Sequence, residues 1–403
     1  MLTLKPQKES CLKNILIKIK QYKINMILRF GKSSQTWFNF RHKGLNLKSF
    51  NKYNKISMEN SALIIVVTYN SENFIEKCLF SIVSQNFKNY FLLVIDNKSS
   101  DLTVGRIKEY KNAESRISSS NFKLIKLGKN IGFSGAVNYG VFNYFSSKNK
   151  PGAQNFKYLI LLNPDMVLDE NTLSSLMDTF SPQSNNRKED TGVAGGMILD
   201  YNKNRISHLG GRIEFNFITS HIKVKDGINM ESIISGQKED GKTGADFISA
   251  DYVTGALFAT KMTLFKKLGG FDTGYKPAYF EELDYCLKIK RIGLKVLVNP
   301  LAFARHFEGA STGKFTAGFY YYYHKNRLRC AIINSSFLNI LKIFFKSEIS
   351  WLKSGAAKNY TMPLIKAYLI NWLFCPYYMI IKIRNMIKIS KLRKTYLNKD
   401  ELV

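Results

Sequence analysis

Four largely apolar stretches, each closed by a polar turn, constrain this chain more than any other feature. Ala62-Leu63-Ile64-Ile65-Val66-Val67 is continuous, rich in β-branched residues and closed by Thr68-Tyr69-Asn70. Such a run reads as a strand buried on both faces. Phe91-Leu92-Leu93-Val94-Ile95-Asp96 repeats the pattern and ends on an acid. Phe122–Leu127 is a third strand, and Tyr158–Leu162 a fourth that runs into Asn163-Pro164-Asp165. Residues 71–82, 101–111 and 133–146 carry helical spacing, the first with Ser71 as its N-cap. Strands alternating with helices make βαβ units, hence an α/β fold with a mostly parallel sheet and helices on both faces. Ligands of such sheets bind outside the C-terminal ends of the strands, which places Asp96 and Asp165 at a site.

Composition narrows the class. With 45% hydrophobic and 22% charged residues, neither wholesale disorder nor a fibrous repeat fits the 403 residues. The net charge of +30 sits mostly at the ends: +12 within residues 1–57 and +9 within 342–403. Basic tails suit nucleic acid or an anionic membrane, and charge alone does not choose. Five scattered cysteines without a CxxC pair fit neither a disulfide framework nor a zinc site and suggest a reducing compartment. Near the N-terminus, Lys18, Lys20 and Lys23 break the apolar residues, so no secretory h-region is expected and the chain should stay inside the cell. Three regions follow: a basic extension over 1–57 with a short helix at about 14–30, an α/β domain over 58–330, and a basic amphipathic helical region over 331–403. In the last, 336–352 is a lysine-punctuated helix. The apolar run 367–381 is interrupted by Asn371 and Pro376 and falls short of the roughly 20 residues that span a bilayer. It is expected to lie in the interface, with Trp372, Tyr377 and Tyr378 at headgroup level; the alternative is a helical subdomain packed on the core.

Several motifs bear on chemistry. Gly236–Thr243 matches GxxxxGK[ST], the phosphate loop of NTPases and kinases. It lacks a long buried strand before it, and Glu239 and Asp240 would face the anion, so a solvated loop is the better reading. Asp96 suits a ribose or base edge, or equally an Asx-turn. Asp165 follows a proline-stiffened turn, as a carboxylate for Mg²⁺ or Mn²⁺ would. Glu281, Glu282 and Asp284 crowd three acids into four residues; like charges so close raise one another's pKa, as suits a general base, and the same acids also stabilise a helix N-terminus. His306 follows an apolar run and draws its meaning from its neighbours.

Taken in order, Val66–Asn70, Val94–Asp101, Asn130–Gly140, Leu162–Asp165, Thr254–Ala256, Gly269–Asp272, the 281–284 cluster and His306 resemble glycosyltransferase family 2 over about residues 60–330. These are inverting enzymes of the GT-A fold, and the likeness is greatest to rhamnosyltransferase-like members. The resemblance implies transfer of a sugar, with rhamnose suggested, from a nucleotide-diphosphate donor to a glycan or lipid-linked acceptor in cell-surface polysaccharide synthesis. By the same resemblance Thr68, Tyr69, Asn70, Asp96 and Asn97 would hold the nucleoside. Asn130, Gly132 and Asn163 would lie along the donor, while Tyr323, Lys325 and Asn326 would approach its diphosphate. Asp165 and His306 would bind Mn²⁺ or Mg²⁺, and Glu282 would be the catalytic base, with Glu281 competing and Asp284 beside them. The basic ends then imply a peripheral place on the cytoplasmic face of the inner membrane rather than nucleic acid.

Overall fold

The computed structural model describes residues 61–118, 120–145, 156–181, 191–201, 205–222, 247–307 and 316–397. All belong to one compact unit, 54–403. The 1–57 extension with its helix at 14–30, and the Gly236–Thr243 loop, lie outside the described residues.

The first half follows the βαβ rhythm: β1 (Ala62–Thr68), α1 (Ile75–Val83), β2 (Tyr90–Asp96), α2 (Thr103–Ala113), β3 (Phe122–Lys126), α3 (Gly132–Asn138) and β4 (Tyr158–Leu162). Next come β5 (Met166–Leu168), α4 (Thr172–Asp178), β6 (Thr191–Asp200), β7 (Ile206–His208), β8 (Gly211–Ile213), β9 (Thr219–His221), β10 (Ile248–Ser249) and β11 (Leu257–Lys261). The chain continues through α5 (Met262–Leu268), α6 (Glu281–Ile292), β12 (Lys295–His306), α7 (Ala317–Asn334), α8 (Phe345–Lys353) and α9 (Thr361–Leu397). The main sheet runs β10-β12-β6-β11-β4-β1-β2-β3, with β5 on β12 and β7 on β6. Along that path only β11 and β10 oppose the rest.

Alternate residues of β1 feed opposite faces, as the pleat requires. Leu63 and Ile65 pack with α3, α5 and α6 residues, while Ala62, Ile64 and Val66 pack with α1 and α4. A sheet buried on both faces explains why its strands read as unbroken apolar runs.

Some sequence expectations are corrected. Ser71 does not cap α1 with its side chain: its carbonyl accepts the N–H groups of Phe74 and Ile75, and its hydroxyl donates to the Tyr69 carbonyl. The ten-residue β6 has no counterpart in the sequence reading. The interruptions expected at Asn371 and Pro376 do not end α9, a single helix of 37 residues.

Candidate active site

β1 and β2 end level, with Thr68 opposite Asp96. The Thr68 hydroxyl donates to Asp96 Oδ1 at 3.2 Å, and the Ser99 N–H donates to Asp96 Oδ2 at 3.1 Å. Asp96 therefore braces its own turn. Asn97 is buried as well, and its Oδ1 accepts the Ile131 N–H at 2.9 Å. Its side chain holds the neighbouring loop. Asn70, at φ 50°, accepts the Ser100 N–H at 2.9 Å. Tyr69, 53% exposed, is the ring of this group open to solvent.

The next turn is set by glycine. Asn130 Oδ1 accepts the Gly132 N–H at 2.9 Å, and Gly132 has φ +79°. A Cβ there would lie 3.0 Å from the Pro277 carbonyl oxygen, so the two loops approach backbone to backbone. The 276–280 loop is in turn gripped by α7. Lys325 Nζ donates to the Lys276 carbonyl at 2.6 Å; Asn326 Nδ2 donates to those of Ala278 and Tyr279 at 2.8 and 3.1 Å. Both side chains, expected along a diphosphate, are thus engaged with this loop. Burial, with Arg329 adding to it, lowers the Lys325 ammonium to about 8. Tyr323, the third of that set, accepts the Thr219 N–H at 3.1 Å. Tyr279 and Phe280 are left-handed, at φ 79° and 77°, and deliver the chain into α6.

The first turn of α6 carries the acids. Burial and then the neighbouring Glu282 push the Glu281 carboxyl well above its ordinary range. Burial raises Glu282 too, while hydrogen bonds from its own N–H and that of Gly255 pull it back. One oxygen of each carboxyl, Oε2, is buried and has no hydrogen-bond partner among the described residues. Glu281 is 3% exposed; Glu282 is the more open of the two. Asp284 stands apart. Its Oδ2 lies 2.6 Å from Lys288 Nζ, and its Oδ1 accepts from Asn334 Nδ2 at 2.7 Å. Through Asn334 it ties α6 to α7.

Gly255 links these acids to the strand ends. The next residue, Ala256, accepts the Asn163 N–H at 3.1 Å, two residues before Asp165. β12 pairs with β5 so that His306 opposes Met166, which brings His306 Nε2 to 3.2 Å from Asp165 Oδ1. Both atoms are buried and make no hydrogen bond among the described residues. No group of three or more His, Cys, Asp or Glu side chains gathers for a metal among those residues. Two orphaned donors, one carboxylate and one imidazole, nevertheless suit a divalent cation whose remaining positions go to phosphate oxygens and water. The sequence reading missed His208. Its Nδ1 lies 2.7 Å from His221 Nδ1, and burial, then the nearby His221 and His306, lowers its pKa to about 3, so it stands neutral beside the pair. It sits on a three-residue strand too short to announce itself in the sequence.

A mixed α/β sheet thus carries a carboxylate–imidazole pair near its strand ends, and two crowded glutamates open α6. Residues 63–224 match the model for Glycosyl transferase family 2. It is 25% identical over 273 residues to the rhamnosyltransferase WbbL of Escherichia coli (strain K12), covering 66% of this chain and 90% of that protein. It is 36% identical over 93 residues to an uncharacterized glycosyltransferase of Haemophilus influenzae, covering 23% of this chain; the match spans only 27% of that relative. A crystal structure of GalNAc-T7 with UDP, GalNAc and Mn²⁺ shares the fold, with TM-score 0.50 and 16% identity over 75% of this chain and 58% of that one.

Proposed function

We propose that the chain is an inverting glycosyltransferase that moves a sugar from a nucleotide-diphosphate donor to a hydroxyl of a glycan or lipid-linked acceptor. The observation that carries this reading is the placement of the two carboxyls with raised pKa. Glu282 bonds to Gly255, beside the residue that holds the turn bearing Asp165. Glu282, the more open of the pair, takes the acceptor hydroxyl proton, and its raised affinity for protons suits that task near neutral pH. Attack in line on the face opposite the leaving diphosphate inverts the anomeric carbon. Tyr69, Asn130 and Gly132 border the donor, with Thr68, Asp96 and Asn97 shaping the wall behind it. Asp165 and His306 would hold Mn²⁺ or Mg²⁺, which when bound offsets the negative charge gathering on the diphosphate. The relative named a rhamnosyltransferase supports rhamnose as the sugar, and the structure solved with UDP supports a nucleotide donor. Synthesis of cell-surface polysaccharide on the cytoplasmic side of a membrane is the setting this chemistry suits.

The test is thermal protection by UDP-, dTDP- and GDP-sugars with and without Mn²⁺. Protection by one of them, lost in Asp165→Ala and kept in Glu282→Gln, is expected. A shift with ATP and none with any nucleotide-sugar would overturn the reading in favour of the Gly236–Thr243 loop.

A further inference from the structure

Residues 337–397 hold eleven lysines and arginines and a single acid, Glu348. That acid is 4% exposed and ion-paired with the buried Arg327 at 2.6 Å, so these helices turn no carboxylate toward solvent. One side of α9 is fastened along its length. Leu364, Ala367, Asn371, Tyr378, Ile389 and Leu392 are all buried. Asn371 Nδ2 donates to the Lys325 carbonyl at 3.0 Å, and Arg329 lies 4.6 Å over the Tyr378 ring. Lys382 bonds to the Ser335 carbonyl, and Lys388 donates to that of Leu268 at 3.4 Å. Tyr378, expected at headgroup level, therefore belongs to the inner side.

The other side is apolar and open. Ile365, Leu369, Trp372, Ile380, Ile383 and Ile387 are exposed, Trp372 by 79%. Their three-, four- and eight-residue spacing makes one stripe. Lys366 and Arg384 each follow a stripe residue by one position, about 100° around the helix, and edge it with positive charge. α8 repeats the device with exposed Phe345, Ile349 and Leu352, and is tied to α9 where the Tyr368 hydroxyl donates to Glu348.

By length and hydropathy α9 passes as a membrane span. A spanning helix must leave the water-soluble body, and α9 is bonded to that body from Asn371 to Lys388. We infer that α9, with α8, is an in-plane docking surface for an anionic lipid bilayer, its stripe at the acyl boundary and its lysines among the headgroups. A second copy of the chain fits worse, since it would set like charge against like. The surface stands independently of the donor chemistry.

The experiment is flotation of the full chain with vesicles of phosphatidylcholine alone or with one quarter phosphatidylglycerol. At least about tenfold more protein should float with the anionic vesicles, and high salt should release it. Trp372 emission should shift to the blue with them, a shift absent in Trp372→Phe. The double variant Leu369→Glu/Ile383→Glu, both on the open side, should lose flotation while keeping its melting temperature. No flotation with either vesicle overturns the inference. So does a dimer in light scattering that the double variant dissolves, or retention in native membranes after alkaline carbonate, the mark of a spanning helix. Nucleotide-sugar protection measured on the same samples separates the two readings: its loss with flotation intact counts against the transferase alone.

Discussion

Burial makes both glutamates opening α6 hold their protons more tightly than an ordinary carboxyl. The native state binds the Glu281 proton more tightly than the unfolded chain does, because burial and Glu282 disfavour the charged form. Below the ordinary carboxyl range both states hold that proton and nothing is lost. As pH rises past that range the unfolded chain releases it first, so stability falls up to the native titration. Glu281→Gln should therefore raise the melting temperature at pH 8 and leave it unchanged at pH 4. An equal gain at both would show that the carboxyl is not under this stress. Glu282→Gln should cut turnover by roughly 10²–10⁴ with nucleotide-sugar protection intact; retained turnover would move the base elsewhere. Three acids in four residues are visible in the sequence. Which one is free was not: Lys288 stands one turn on from Asp284 along α6, but Asn334 reaches it only once α6 meets α7.

At the scale of elements, the βαβ half was readable because its strands are buried on both faces and its turns close on polar residues. β6 was not. Its sequence, TGVAGGMILD, has glycines where strands usually carry bulk. The structure supplies the reason: a Cβ on Gly196 would fall 1.9 Å from the Ala302 carbonyl oxygen of β12, a clash only glycine avoids. Lys325 and Asn326, expected along the diphosphate, donate to carbonyls of the loop before α6, a contact no sequence pattern announces. Asn326→Ala would leave two loop carbonyls without their donor. It should cost about 1–3 kcal/mol of stability in a urea titration and lower kcat more than nucleotide-sugar affinity. A variant with unchanged kcat would show that the loop holds its shape without α7.

For the molecule as a whole, the C-terminal helices are part of the core. Ile389 and Leu392 of α9 share one hydrophobic cluster with Val193 of β6 and Phe265 of α5. A chain ending before Thr361 should lose cooperative unfolding and aggregate, whereas a detachable tail would leave the melting temperature unchanged. The buried Arg327–Glu348 pair belongs to the same assembly, and removing either partner should cost about 3–5 kcal/mol. The loop before α6 has a further consequence at this scale. Two successive residues with side chains, Tyr279 and Phe280, are held left-handed, where each carries a penalty of roughly 1–2 kcal/mol. Glycine would remove that penalty, and with it the Tyr279 ring against Phe319 and the Phe280 ring against Tyr323. At Phe280, 4% exposed in the core, losing the ring costs about 3–5 kcal/mol and outweighs that gain, so the fold uses aromatic packing to keep a bent backbone that glycine would hold more easily but could not anchor.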